Sequence, residues 1–161
     1  MKVTEHRRVV LRLPRGEDEA FVDALVERDP MKAADALTLR IRDDGSVPPD
    51  NPFFGREGAQ PEIWTLGHRN VQAAAVDNEG ELWIVEHGPQ GGDELNHIVK
   101  GENYGWPLVS YGEQYSGEPL PNARIRRPGY TQPVYYWDPV IAPSGADFYS
   151  GELISEWRGN L

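Results

Sequence analysis

The sequence predicts an all-β fold of short strands, and three observations carry that prediction. First, 17 glycines and 14 prolines in 161 residues exceed the usual combined share of ~12%, so the chain turns too often for long helices. Second, apolar and polar residues alternate in short runs, the pattern of half-buried strands. Third, turn signals separate these runs every ~8–12 residues, which is the spacing of a β-sandwich, barrel or propeller. The length suits about one domain. A hydrophobic share of 39% is enough to build a core.

Taken in order, residues 9–13 read as a short strand. Residues 17–28 place Phe21, Val22, Leu25 and Val26 on one face at helical spacing, with acids in the first turn, and so predict a short amphipathic helix. From Leu37, Leu39 and Ile41, alternating with Thr38, Arg40 and Arg42, the pattern becomes β, and Asp43-Asp44-Gly45-Ser46 ends that strand in a turn. Residues 47–61 contain Pro48, Pro49, Pro52 and Pro61 and form a loop long enough to suspect a function. Residues 62–66 make the next strand. Residues 73–76 and 81–86 read as two strands joined by Asp77-Asn78-Glu79-Gly80, whose Asn and Gly suit a tight connection. A glycine-rich loop (87–92), a strand (93–99) and a loop with embedded aromatics (101–107) follow, and 133–137 and 146–149 are the last strands. Ile63-Trp64, Leu82-Trp83 and Tyr136-Trp137 each put an aromatic in a short strand, an echo of the kind that divergent propeller blades of ~40–45 residues retain.

Composition excludes several functions. With 16 basic against 26 acidic residues the net charge is −10, so no nucleic-acid partner is expected of a chain without a basic face. No stretch approaches the ~18 apolar residues of a membrane span. Cysteine is absent, which removes disulfides, thiolate metal sites and Cys nucleophiles. Residues 1–8 are charged, but no apolar segment of a cleavable export signal follows them.

Two stretches invite chemistry. Gly67-His68-Arg69-Asn70 is either a polar turn or an anion-recognition site, in which Arg offers a planar fork of donors and Asn a neutral donor beside it. The second runs from Glu86 through His87, Gly88, Pro89, Gln90, Gly91, Gly92 and Asp93 to Glu94. It is either a hairpin loop with solvated acids or a loop whose backbone approaches a ligand closely. In the latter case its carbonyls suit a hard cation such as Ca²⁺. His68, His87 and His97 match no zinc spacing, and no Gly-x-Ser-x-Gly nucleophile motif is present. Tyr135 and Trp137 fall on one face of their strand, as plain core or as a wall that stacks on a sugar or flat cofactor.

Together these stretches resemble one family, the soluble pyrroloquinoline quinone (PQQ)-dependent aldose sugar dehydrogenases of the glucose/sorbosone dehydrogenase type. The resemblance is carried by Arg42-Asp43-Asp44-Gly45-Ser46-Val47-Pro48, Pro61-Glu62-Ile63-Trp64, Gly67-His68-Arg69-Asn70, Glu86-His87-Gly88-Pro89, Gly91-Gly92-Asp93-Glu94-Leu95-Asn96, Asn103-Tyr104-Gly105-Trp106-Pro107 and Gln132-Pro133-Val134-Tyr135-Tyr136-Trp137. It covers residues 29–161, and 1–28 form a poorly matched N-terminal segment in which 21–29 are either part of the helix above or a degraded family strand.

The resemblance implies a six-bladed β-propeller, of which ~42 residues per blade leave this chain about three to four blades. It implies that Arg69 and Asn70 contact PQQ, that the Gly88 and Pro89 carbonyls bind Ca²⁺, that His87 and Asp93 lie near the cofactor in the same loop, and that Tyr135 and Trp137 wall the sugar site. The implied reaction is hydride transfer from C1 of an aldose to PQQ, giving a lactone, with electrons passing to an external acceptor. The family's general-base His lies upstream of the matching region, so no catalytic base is assigned here, and the chain reads as a fragment. Family members are exported, which implies a periplasmic or secreted location. The alternatives are a Ca²⁺-dependent propeller lactonase, which needs side-chain carboxylates and Asn converging on the metal, and a non-catalytic propeller fragment.

Overall fold

The computed structural model describes residues 7–12, 20–26, 36–42 and 44–161, with side chains from residue 38 onward. Its strands are β1 (Arg7–Arg12), β2 (Ala20–Val26), β3 (Ala36–Arg42), β4 (Ile63–His68), β5 (Val71–Val76), β6 (Leu82–Glu86), β7 (Asp93–His97) and β8 (Tyr135–Trp137). They form two four-stranded sheets in sequential order, β1-β2-β3-β4 and β5-β6-β7-β8, and every pair is antiparallel. Two consecutive four-stranded meanders are the repeating unit of a β-propeller.

Of the segment expected as a helix over 17–28, the described residues 20–26 form a strand, the alternative that the family resemblance offered. β2 pairs with β1 (Phe21 opposite Arg12) and with β3 (Phe21 opposite Ile41). Its apolar run is shorter than the ~12–15 residues at which an isolated helix becomes even marginal. Ladders on both sides satisfy its backbone donors and acceptors, so tertiary pairing overrides the local period. The strand expected over 93–99 ends at His97. Residues 146–149 form no strand, since a strand needs a neighbour. Tyr149 instead exchanges backbone bonds with the loop that follows, from its N–H to Asn160 O (2.9 Å) and to its O from the Gly159 N–H (2.9 Å). A short 3₁₀ turn, Ser155–Trp157, lies in that loop.

The core sits between the sheets. Val71, Leu82, Ile84, Ile98 and Tyr104 are buried together, with Trp64 of β4 packed against them. The loop over 101–107 seals the edge of the first sheet. Gly101 N–H donates to Trp64 O, Leu66 N–H to Glu102 O, Tyr104 N–H to Leu66 O and Trp106 N–H to Gly67 O. Gly67 permits this approach. Its φ is +77°, and a Cβ there would lie on the Asn103 side chain and 2.5 Å from Gly105 N. β4 therefore ends against a wall carrying Trp106, and the residues after it turn toward the end of β6.

Candidate functional site

Arg69 follows the last residue of β4, and His87 follows the last residue of β6. The two strand ends are tied together, because His87 N–H donates to Asn70 O (2.9 Å). The Arg69 guanidinium then crosses to the second loop. Its Nη1 donates to His87 O (2.9 Å) and to Gly88 O (2.7 Å), and its Nη2 donates to Tyr115 Oη (3.2 Å). Its charge lies over the Trp106 ring, 5.2 Å from the centroid, a cation–π arrangement. A shallow cleft opens here, lined by Arg69, Gly88, Pro89, Glu94, Trp106 and Ser110 among others.

The glycine loop is wound so tightly that side chains are excluded. A Cβ on Gly88 would fall on the Gly91 and Gly92 carbonyl oxygens and 2.5 Å from Gly92 C, while Gly91 and Gly92 have φ of +84° and +71°. Asp93 holds the loop from behind. It is buried, its Oδ1 accepts from Gly88 N–H (2.9 Å), and its Oδ2 accepts from Ile141 N–H (2.8 Å) and Ala142 N–H (2.7 Å). His87 is tied to the same following segment, with Nε2 2.8 Å from Pro143 O. Asn70 Oδ1 accepts from Gln72 Nε2 (2.8 Å).

Beneath the cleft runs a buried polar network. Thr38 Oγ1 meets Thr65 Oγ1, and Thr65 Oγ1 lies 2.9 Å from His68 Nε2. His68 Nδ1 lies 3.0 Å from Glu86 Oε1, which also accepts from Asn96 Nδ2 (2.9 Å), and Glu86 Oε2 accepts from Arg69 N–H (2.6 Å). Asn96 Nδ2 also reaches Glu94 Oε2 (3.2 Å). Burial pushes the Glu86 carboxyl up, but the His68 charge, the bonds from His68 and the Arg69 amide, and the nearby Asn70 amide outweigh it and hold it below the usual range. Glu94 lacks a cationic partner in this network. Burial, and then the Glu86 charge, push it up to about 8.

The structure thus brings Arg69, His87, Gly88 and Pro89 together at the cleft and places Asp93 behind their loop. His68 is fully buried, stacked on Tyr104 at 4.7 Å and bonded to Thr65 and Glu86, a core histidine instead of a turn residue. Tyr135 and Trp137 do share one face of β8, edge to face at 5.1 Å, while Tyr136 points the other way and stacks on Tyr111 at 3.9 Å. Among the described residues no three His, Asp or Glu side chains gather as a metal cluster, and no helix is long and apolar enough to cross a membrane. Sequence reasoning singled out neither the network of Glu86, Asn96 and Glu94 nor the position of Tyr115 at Arg69. One signal was present: Glu94 and Asn96 fall on one face of an inner strand, a polar pair where an apolar pair is the rule.

Comparison with known proteins agrees with this architecture. Residues 21–161 match the family described as glucose/sorbosone dehydrogenase. The aldose sugar dehydrogenase YliI of Escherichia coli strain K12 is 38% identical, over 99% of this chain and 49% of that protein. The crystal structure of the soluble aldose sugar dehydrogenase from Escherichia coli in the apo form superposes with a TM-score of 0.82 at 38% identity, over 96% of this chain and 46% of that one. The PQQ-bound form of aldose sugar dehydrogenase from Streptomyces coelicolor superposes with a TM-score of 0.60 at 31% identity, over 82% of this chain and 36% of that one. The chain therefore spans at most about half the length of these relatives. With two antiparallel propeller-type sheets and a family match over most of its length, the chain belongs to the glucose/sorbosone dehydrogenase family.

Proposed function

We propose that this chain carries part of the cofactor face of a PQQ- and Ca²⁺-dependent aldose dehydrogenase, which oxidises the C1 hydroxyl of an aldose to a lactone. The observation that carries this reading is Arg69, a guanidinium stacked on Trp106 at the mouth of a cleft and held by two backbone carbonyls. The residues fit both groups. A planar, always charged fork matches the carboxylates of PQQ, and Asn70, the next residue, is held by Gln72 through its Oδ1 with its NH₂ left to donate. The Gly88 carbonyl accepts from Arg69 Nη1 with one lone pair, which leaves its second lone pair as the one a hard cation would take. Gly88 and Pro89 would hold the Ca²⁺.

Once bound, the pair supplies two-electron oxidation at the sugar C1 with Lewis-acid polarisation of the quinone oxygen. The chain's own residues do the rest of the positioning. Asp93 clamps the amide of Gly88, so the carbonyls of the loop keep one orientation. His87, fixed to Pro143 O, holds the loop against the following segment. Trp106 shields one face of Arg69 from water, which strengthens its bond to an anion. Tyr135 and Trp137 present an aromatic pair suited to the apolar face of a sugar ring. No residue of this chain is assigned as the general base. The electrons leave to an external acceptor, and the expected location is periplasmic or secreted.

The test is titration of the 161-residue protein with PQQ, with Ca²⁺ present and then chelated, read by quenching of its five tryptophans. Saturable quenching that chelation abolishes, and that Arg69→Ala weakens at least tenfold, is expected. A folded protein that shows no saturable quenching refutes the cofactor reading for this chain.

A further inference from the structure

The Arg69 guanidinium has three hydrogen-bond partners of unequal permanence. His87 O and Gly88 O belong to the wound glycine loop, which cannot move without opening the contacts among Gly88, Gly91 and Gly92. The third partner is the Tyr115 hydroxyl, accepting from Nη2 at 3.2 Å. Tyr115 is 73% exposed, an aromatic ring left in water with its hydroxyl on a charged donor. Its loop is firm at the base and projecting at the tip. Gln90 and Glu113 exchange both backbone bonds (3.1 and 2.8 Å), and Gln90 Nε2 donates to Glu113 Oε1 (2.6 Å). The Gln114 N–H donates to Glu118 O and the Gly117 N–H to Gln114 O, closing a turn that carries Tyr115 outward. A neutral phenol is a weaker acceptor for a guanidinium than a carboxylate is.

We infer that Tyr115 gates Arg69, its hydroxyl occupying one of the two Nη2 donors, the one that a ligand carboxylate takes, and leaving when that carboxylate binds. This rests on the reading above only in the identity of the ligand. The occupied donor itself is a property of the free protein, and so is its release when the hydroxyl is removed. Because Tyr115 packs so little, Tyr115→Phe removes the acceptor and keeps the ring and the fold.

Two measurements on the full chain test the gate. The first is modification of Arg69 by phenylglyoxal, followed by peptide mass spectrometry, with exposed Arg124, Arg126 and Arg127 as internal references. Tyr115→Phe is expected to label Arg69 several-fold faster than the unsubstituted protein while the reference arginines are unchanged. Equal Arg69 rates overturn the gate. The second is PQQ titration with Ca²⁺, in which Tyr115→Phe is expected to bind roughly two- to tenfold tighter, the worth of one neutral hydrogen bond no longer competing. Unchanged or weaker binding overturns the gate, the weaker result meaning that the phenol assists the ligand instead. If neither protein binds PQQ, the cofactor reading fails, and the labelling ratio alone decides the gate.

Discussion

Glu86→Gln is the most informative single substitution, because it changes one oxygen for one nitrogen at the centre of the buried network. The carboxylate accepts from three donors, His68 Nδ1, Asn96 Nδ2 and the Arg69 amide, at 3.0, 2.9 and 2.6 Å. A glutamine has one acceptor oxygen and one NH₂ group. If the NH₂ faces Arg69, it opposes a backbone N–H at the shortest of these distances. If it faces the other way, the His68 Nδ1–H and the Asn96 NH₂ both face another NH₂. Either orientation leaves at least one buried donor without a partner, at about 1–3 kcal/mol, and removes the charge opposite His68. Breaking a buried pair in this way costs about 3–5 kcal/mol in all. For a chain of this size each kcal/mol is worth about 2–4 °C, so the melting temperature should fall by about 6–20 °C. Thermal unfolding followed by circular dichroism measures it at neutral pH. A fall of less than about 2 °C would refute the reasoning, since the three donors would then have found other partners at no cost.

Three further outcomes are expected. Gly88→Ala places a methyl on the carbonyls of Gly91 and Gly92; it should cost about 1–3 kcal/mol in denaturant unfolding and displace the carbonyl that Arg69 holds, so unaltered stability argues against the wound loop. Asp93→Asn turns an NH₂ toward the backbone amide at Gly88 or those at Ile141 and Ala142; limited proteolysis should then cut within 87–92 or within 138–143 faster than in the parent, and parent rates at both count against the clamp. Glu94 has a folded pKa of about 8, raised from an ordinary value of 4.5, so its contribution is fully present below 4.5 and is lost as pH rises through 8. Stability measured across that window should decline with pH, and Glu94→Gln should flatten the decline; a variant with the parent's slope removes Glu94 as its source.

Strand positions were legible where the deciding information is local. β3 is written in the alternation of Leu37, Leu39 and Ile41, and the connection of β5 to β6 in Asp77, whose carboxylate accepts from the Glu79 and Glu81 amides (3.0 and 2.8 Å) and from Trp83 Nε1 (2.8 Å). β2 was not legible from periodicity, because Phe21, Val22, Leu25 and Val26 satisfy a helical period while the same run also fits the strand that the family resemblance offered, and pairing with β1 and β3 decides between them. Residues 146–149 show the converse. Phe148 and Tyr149 favour extended backbone, yet the backbone bonds of Tyr149 go to residues 159 and 160 instead of to a sheet.

The site divides along the same line. Arg69 and the Gly88-Pro89 loop stand out in the sequence because a guanidinium after a strand and a run of glycines are local signatures of anion and backbone-mediated binding. That they touch each other is a fact of sheet packing, since Arg69 leaves the end of the first sheet and His87 enters from the second. Glu86 is where the two facts meet. The Arg69 amide has passed the end of β4 and has no ladder partner, so a buried acceptor must be brought to it, and Glu86 Oε2 is that acceptor. An apolar residue at position 86 would pack as well but would strand that amide together with the His68 and Asn96 donors. A neutral acceptor would serve fewer of the three. An ionised carboxylate, kept so by His68 against the pull of burial, is the side chain that satisfies them all, and it fixes the backbone from which Arg69 reaches the cleft.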